Sequence, residues 1–304
     1  MMILDMERLG EEIFNLRKYY KMSQKELAEG ICSQAAISKI ESGECFPGID
    51  TLYLISIKLR VEITYFISLL FQERNGYIST TIEWIEKLNT NKNYEELYEI
   101  TKFERSNNLK SYGYQYEQFI NWHYYLASYY LKFMSYVEVT DQLKELLSAN
   151  NLLDQDNYQD LKIHNSIAAI YAENKDYTNS YKYYEAILNK TIYIDSFKKF
   201  RIKVMYNLSK VYTLDQRYND ALQIIDQAID DSLKQESFYV LGQLYYQKGL
   251  CFENLKESYD KISLNYKNAI FIFKLQNKDM YMDLIKEKKQ QFLGERKDVL
   301  SAGE

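Results

Sequence analysis

Proline occurs once in the 304 residues and glycine ten times, against usual shares of about 5% and about 7%. So few turn-formers leave a β-sandwich, a barrel or a doubly wound α/β fold without its punctuation. Collagen-like and Pro/Gly-rich disordered classes are excluded on the same ground. The three cysteines (Cys32, Cys45, Cys251) are odd in number and widely spaced, with no C-x-x-C. That pattern suits a reduced cytoplasm better than a disulfide framework. The two histidines, His123 and His164, stand 41 residues apart, without the close cysteine, histidine or carboxylate neighbours of a metal site. They are expected in helix packing, with no metal and no other cofactor. There is no G-x-S-x-G, Walker loop or G-x-G-x-x-G, so no catalytic residues are assigned and no enzyme is expected. Asp5 and Glu7 fall where a signal peptide would need basic and then apolar residues. The most lipid-like run, Leu52 to Phe71, is broken by Lys58, Arg60 and Glu62. The expectation is a cytoplasmic protein without a membrane partner.

What is present is apolar and aromatic. Hydrophobic residues make up 46% and aromatics 15%, with 31 tyrosines. A tyrosine has an apolar body and a polar tip, which suits partly wet helix seams and grooves. The composition therefore reads as all-α. The net charge of −5 argues against a globally basic nucleic-acid binder, and residues 1–70 hold 8 Lys/Arg against 10 Asp/Glu. A small DNA-reading module is still compatible with those numbers.

Short, closely spaced helical segments run to about residue 70, and longer ones rich in Tyr, Asn and Lys follow. We place an N-terminal domain at 1–70, a linker at 71–80 and a repeat domain at 81–304. In the last, Tyr130, Tyr171, Tyr212 and Phe252 recur at intervals of 41, 41 and 40 residues. Three residues before each comes a small one: Ala127, Ala168, Ser209 and Gly249. Six after the first three comes another tyrosine: Tyr136, Tyr177 and Tyr218. A small residue where two helices touch, with an aromatic one turn on, is the spacing of a tetratricopeptide (TPR) helix pair. About five such pairs, starting from a weaker copy near Thr81–Asn107 and closed by a helix at Met280–Leu293, would build a TPR-like solenoid with a concave groove. Nine, six and five places before each repeat aromatic, the inner surface would carry Asn121, Tyr124 and Tyr125, then Lys162, Asn165 and Ser166. Lys203, Tyr206 and Asn207 follow, and last Gln243, Tyr246 and Gln247. Side-chain amides both donate and accept, so they can satisfy the backbone of an extended peptide. Lys162 and Lys203 would meet a carboxylate. An ordinary solvated polar face is the alternative.

In the N-terminal segment, Ser23 and Glu26 have the spacing of a capping box, so a helix starts there. Gly30-Ile31-Cys32 is a turn, and Ser33 caps a second helix with Ile37 and Ile40 inward. Gln34, Ala35, Ser38 and Lys39 are left outward. Two helices around a short glycine turn form a helix-turn-helix. A glutamine amide can pair with adenine, and small residues let the helix approach the bases.

Residues 7–70 resemble the lambda/434 repressor helix-turn-helix. With the Gly-Ile-Cys-Ser-Gln turn, Ile170–Asn174 and Gly242–Gly249, nearly the whole chain is similar to the RNPP family of peptide-regulated quorum-sensing regulators. The resemblance implies Gln24, Ser33, Gln34, Ala35, Ser38 and Lys39 as DNA contacts, and an intradomain ion pair Arg17–Glu41. It implies Asn165, Asn207, Gln243, Lys92 and Tyr281 as peptide contacts, to which the inner-surface spacing adds Tyr246. The partners implied are a double-stranded DNA operator, a short linear signalling peptide and a second copy in a homodimer, with activation as the outcome. A Rap-like adaptor without a DNA role and a phage-type repressor are the alternatives.

Overall fold

The computed structural model describes residues 6–70, 72–148, 158–190 and 195–294, and among them every regular element is helical. Two compact units divide between Leu97 and Tyr98.

The first unit contains α1 (Met6–Tyr19), α2 (Gln24–Ala28), α3 (Gln34–Glu41), α4 (Ile49–Lys58), α5 (Ile63–Leu70) and α6 (Gln72–Thr90). Leu9, Ile13, Leu27, Ile37, Ile40, Leu52, Ile55, Leu59 and Phe66 make one buried core. α1 crosses α3 at Gly10, where a Cβ would run into the carbonyl oxygens of Ile40 and Glu41. Residues 72–80, within the expected linker, are helical and form the opening turns of α6. They contain no proline, and the helix absorbs the cost of Gly76, about 1 kcal/mol relative to alanine.

α7 (Tyr94–Ser106) carries the division between the units. The second unit continues with a 3₁₀ turn (Leu109–Tyr112), α8 (Tyr114–Tyr130), α9 (Tyr136–Ser148), α10 (Tyr158–Glu173) and α11 (Tyr177–Leu188). α12 (Asp195–Leu214), α13 (Tyr218–Lys234), α14 (Leu241–Asn254), α15 (Tyr259–Leu275) and α16 (Asp279–Lys288) follow, then a 3₁₀ turn at Gln290–Phe292. From α8 on, even-numbered helices up to α14 pack on the odd-numbered helix that follows them, and each such pair packs on the next. α8, α10, α12 and α14 also touch one another in succession. They form the inner layer of a TPR-like stack, and α16 closes it against α15.

The repeat arithmetic is visible in the packing. Ala127, Ala168 and Ser209 have no exposed surface, and at Gly249 a Cβ would lie 2.7 Å from Cε1 of Tyr266. Tyr94, Tyr136, Tyr177, Tyr218 and Tyr259 each open an odd-numbered helix. The carbonyls of Tyr171, Tyr212 and Phe252 accept the closing bonds of their helices from the N–H groups of Asp176, Arg217 and Glu257, at 2.9, 2.8 and 3.0 Å. Just before those donors, Lys175, Gln216 and Lys256 adopt left-handed backbone, with φ of 63°, 61° and 54°. These Schellman closures usually employ glycine. Lysine and glutamine fill the position here, which is one reason the chain contains so little glycine.

His123 is buried against Phe119 and Trp122, each 4.2 Å away between ring centroids, with Nδ1 2.9 Å from the Phe119 carbonyl oxygen. Burial pushes its pKa down to about 4. His164 lies beside the ring of Tyr183.

Candidate DNA-reading helix and peptide groove

In the first unit the expected capping box is formed: Ser23 Oγ accepts from Glu26 N–H at 3.1 Å and Ser23 N–H donates to Glu26 Oε2 at 2.7 Å. The turn into α3 passes through Gly30 at φ 76°, and Ser33 Oγ accepts from Ala36 N–H at 3.1 Å. Ser33, Gln34, Ala35, Ser38 and Lys39 are all exposed, while Ile37 and Ile40 are buried. With its lone pair engaged as a cap, the Ser33 hydroxyl keeps a proton to donate to a phosphate.

Gln24 is only half-exposed, and its amide donates to Glu41 Oε2 at 2.9 Å. Arg17 grips the same carboxylate through Nε (2.5 Å) and Nη2 (2.7 Å) and donates from Nη1 to the Met22 carbonyl. These bonds hold the Arg17 guanidinium charged and tie α1, α2 and α3 together. They also keep the Glu41 carboxylate, neutralised by Arg17, from standing as a free anion at the end of α3. The outward residues of α3 therefore present one cation, Lys39, and no free anion. Cys32 is half-buried, which raises its thiol pKa, and Cys45 is exposed.

In the second unit, Asn207 Nδ2 donates to Asn165 Oδ1 at 3.0 Å across the α10–α12 seam. Gln243 Oε1 is buried and has no hydrogen-bond donor among the described residues. Tyr246 packs on Tyr266 with ring centroids 5.7 Å apart, and Tyr281 stacks on Phe273 at 5.1 Å. Phe273 in turn covers Gly242, the neighbour of Gln243. Tyr206 lies within electrostatic reach of Tyr246 and Tyr281, and burial pushes its hydroxyl up to about 12. Five expected peptide contacts (Asn165, Asn207, Gln243, Tyr246 and Tyr281) thus lie in one stack. The sixth, Lys92, is exposed in the α6–α7 turn of the first unit, in left-handed backbone at φ 57°.

One inner-surface expectation is corrected. Gln247 is buried and donates to Thr213 Oγ1 at 2.7 Å, so it joins repeats instead of facing a ligand. Ser166 stays half-exposed while accepting from Trp122 Nε1 at 3.1 Å, a repeat-to-repeat bond like that of Asn207 to Asn165. The guanidinium of Arg105 lies 3.9 Å from the Tyr124 ring centroid, with Tyr98 stacked on Tyr124 at 5.2 Å. The seven-residue step from Tyr98 to Arg105 puts both on one face of α7.

Among the described residues, no three His, Cys, Asp or Glu side chains gather as metal ligands, and no helix is long and apolar enough to cross a membrane.

The chain matches the RNPP family C-terminal domain over residues 82–294 and a helix-turn-helix domain over residues 13–66. It belongs to the RNPP family. Bacillus thuringiensis PlcR, solved in complex with the peptide PapR7 and DNA, is 32% identical. That match covers 95% of this chain and 100% of PlcR, with a TM-score of 0.72. The SHP pheromone receptor Rgg2 of Streptococcus dysgalactiae shares the fold at 17% identity and a TM-score of 0.62, covering 93% and 99% of the two chains. ComR of S. thermophilus does so at 15% and 0.61, over the same shares. No curated protein sequence matches the chain.

Proposed function

We propose that this protein is a cytoplasmic, peptide-responsive transcription regulator of quorum-sensing type and not an enzyme. The chain joins a helix-turn-helix to a solenoid whose inner layer holds a buried carboxamide oxygen, Gln243 Oε1, without a donor among the described residues, and that combination carries the reading. α3 reads operator DNA with Gln34, Ala35, Ser38 and Lys39, while Gln24 and Ser33 approach the backbone phosphates. Phosphate contacts made by helix-start N–H groups need no net positive charge. A short linear peptide lies along Asn165, Asn207, Gln243, Tyr246 and Tyr281 of the second unit. Each amide bond contributes about 0.5–1.5 kcal/mol net, so several act together. The regulator works as a homodimer on half-sites one or more helical turns apart, and the peptide acts as an activator by binding one arrangement of the solenoid more tightly. The domain limits 1–70 and 81–304 belong to this proposal. Its support is family membership and the resemblance to PlcR, whose structure holds a peptide and DNA.

The test uses double-stranded DNA selected from a random pool by the purified full-length protein. Gln34→Ala with Ser38→Ala is expected to weaken that DNA at least tenfold, because a good bidentate base contact is worth about 1–3 kcal/mol. Asn165→Ala with Asn207→Ala is expected to retain DNA binding and lose the response to peptide. Unchanged DNA binding in the first variant would support the adaptor alternative, and an intact peptide response in the second would support a phage-type repressor.

A further inference from the structure

The inner-layer helices differ sharply in charge. α8 holds no lysine or arginine, α10 holds only Lys162, and α14 only Lys248, which pairs with Asp226 at 2.6 Å. α12 holds Lys198, Lys199, Arg201, Lys203 and Lys210 against a single acid, Asp195, in a chain whose net charge is −5. Two of these cations are answered locally: Lys198 pairs with Asp195 at 2.7 Å, and Arg201 donates to the Leu188 carbonyl. At 100° per residue, Lys199, Lys203, Tyr206, Asn207 and Lys210 fall on one face of the helix. Asn207 fixes the direction of that face, because it bonds across the seam to Asn165. Lys203 and Lys210 are exposed and form no ion pair among the described residues. Lys210 lies 5.8 Å from the Tyr206 ring centroid. Seven residues separate the two lysines, about 10 Å along the axis, with the Asn207 carboxamide between them. Like charges along one helical face repel, so the stripe is unfavourable until an anion covers it.

We infer that the groove selects an anionic peptide, receiving a carboxylate between Lys203 and Lys210 beside the Asn207 carboxamide. The inference rests on the peptide-binding reading above and narrows its ligand class. An ammonium on each side of one carboxylate gives two charge-assisted bonds, and the neighbouring amide holds the peptide backbone in register.

The test exposes immobilised full-length protein to a pool of random heptapeptides, made once with free C-terminal carboxylates and once amidated. The expected result is at least fivefold enrichment of Asp/Glu peptides over their Asn/Gln counterparts, or of free acids over amides. The first pattern assigns the carboxylate to a side chain and the second to the terminus. Lys203→Met with Lys210→Met should reduce that preference below twofold. Lys182→Met on the exposed surface of α11 should leave it intact. Peptides retained by the wild type without any acid preference would overturn the inference and leave peptide binding standing, as would a preference that survives the double variant. Failure to retain any peptide would overturn the peptide-binding reading and this inference together.

Discussion

His123 shows how a single buried group makes stability depend on pH. Its imidazole is 1% exposed and wedged between Phe119 and Trp122, so burial holds its pKa near 4 in the folded chain against about 6.5 when unfolded. Between those values the unfolded chain takes up a proton that the folded chain refuses, and stability falls as pH falls through that window. The expected loss is about 3 kcal/mol by pH 4. Urea unfolding of the wild type and of His123→Asn at pH 7 and pH 4.5 measures it: the wild type should lose about 2 kcal/mol more than the variant. Equal losses would show that His123 titrates normally. Its packing role was legible in the sequence, because His123 sits 41 residues before His164 in the repeat. The fates of Gln247 and Ser166 were not legible there. Periodicity places a polar residue on a face, but it does not reveal whether Thr213 or Trp122 on the neighbouring repeat takes up that residue first.

At the scale of the element, the helix ends hold the main surprise. Small residues at a period of about 41 gave away the seams, and the Ser23–Glu26 spacing marked the start of α2. The ends were illegible because glycine, their usual signal, is replaced by Lys175, Gln216 and Lys256 in left-handed backbone. Only the bonds donated by Asp176, Arg217 and Glu257 to the repeat aromatics reveal them. Since an L side chain is strained in that conformation and glycine is not, Lys175→Gly and Lys256→Gly should each raise stability by up to about 1 kcal/mol. Thermal or urea unfolding reads this directly, and destabilisation would show that these lysine side chains make contacts worth more than the backbone strain. The helical state of residues 72–80 was illegible for a related reason. A lone Gly76 reads as a break in sequence, yet one glycine costs a helix too little to end it.

For the whole molecule, regulation requires that filling the groove and reading DNA share one equilibrium. Moving a population from 1:99 to 99:1 needs about 5.5 kcal/mol of differential binding, which several carboxamide bonds and a neutralised lysine stripe are suited to supply. The all-α class, the helix-turn-helix and the TPR-like stack were readable because each rests on spacing within the chain. The coupling was not, since it depends on free-energy differences between arrangements. Linkage makes it measurable: whatever factor the peptide applies to DNA affinity, DNA must apply to peptide affinity. The most direct measurement is therefore a fluorescence-anisotropy titration of selected DNA with and without a groove-selected peptide, paired with the reverse titration of labelled peptide with and without DNA. The account predicts a change of at least tenfold in each direction, equal within error. A DNA affinity that stays the same when the groove is saturated would contradict it.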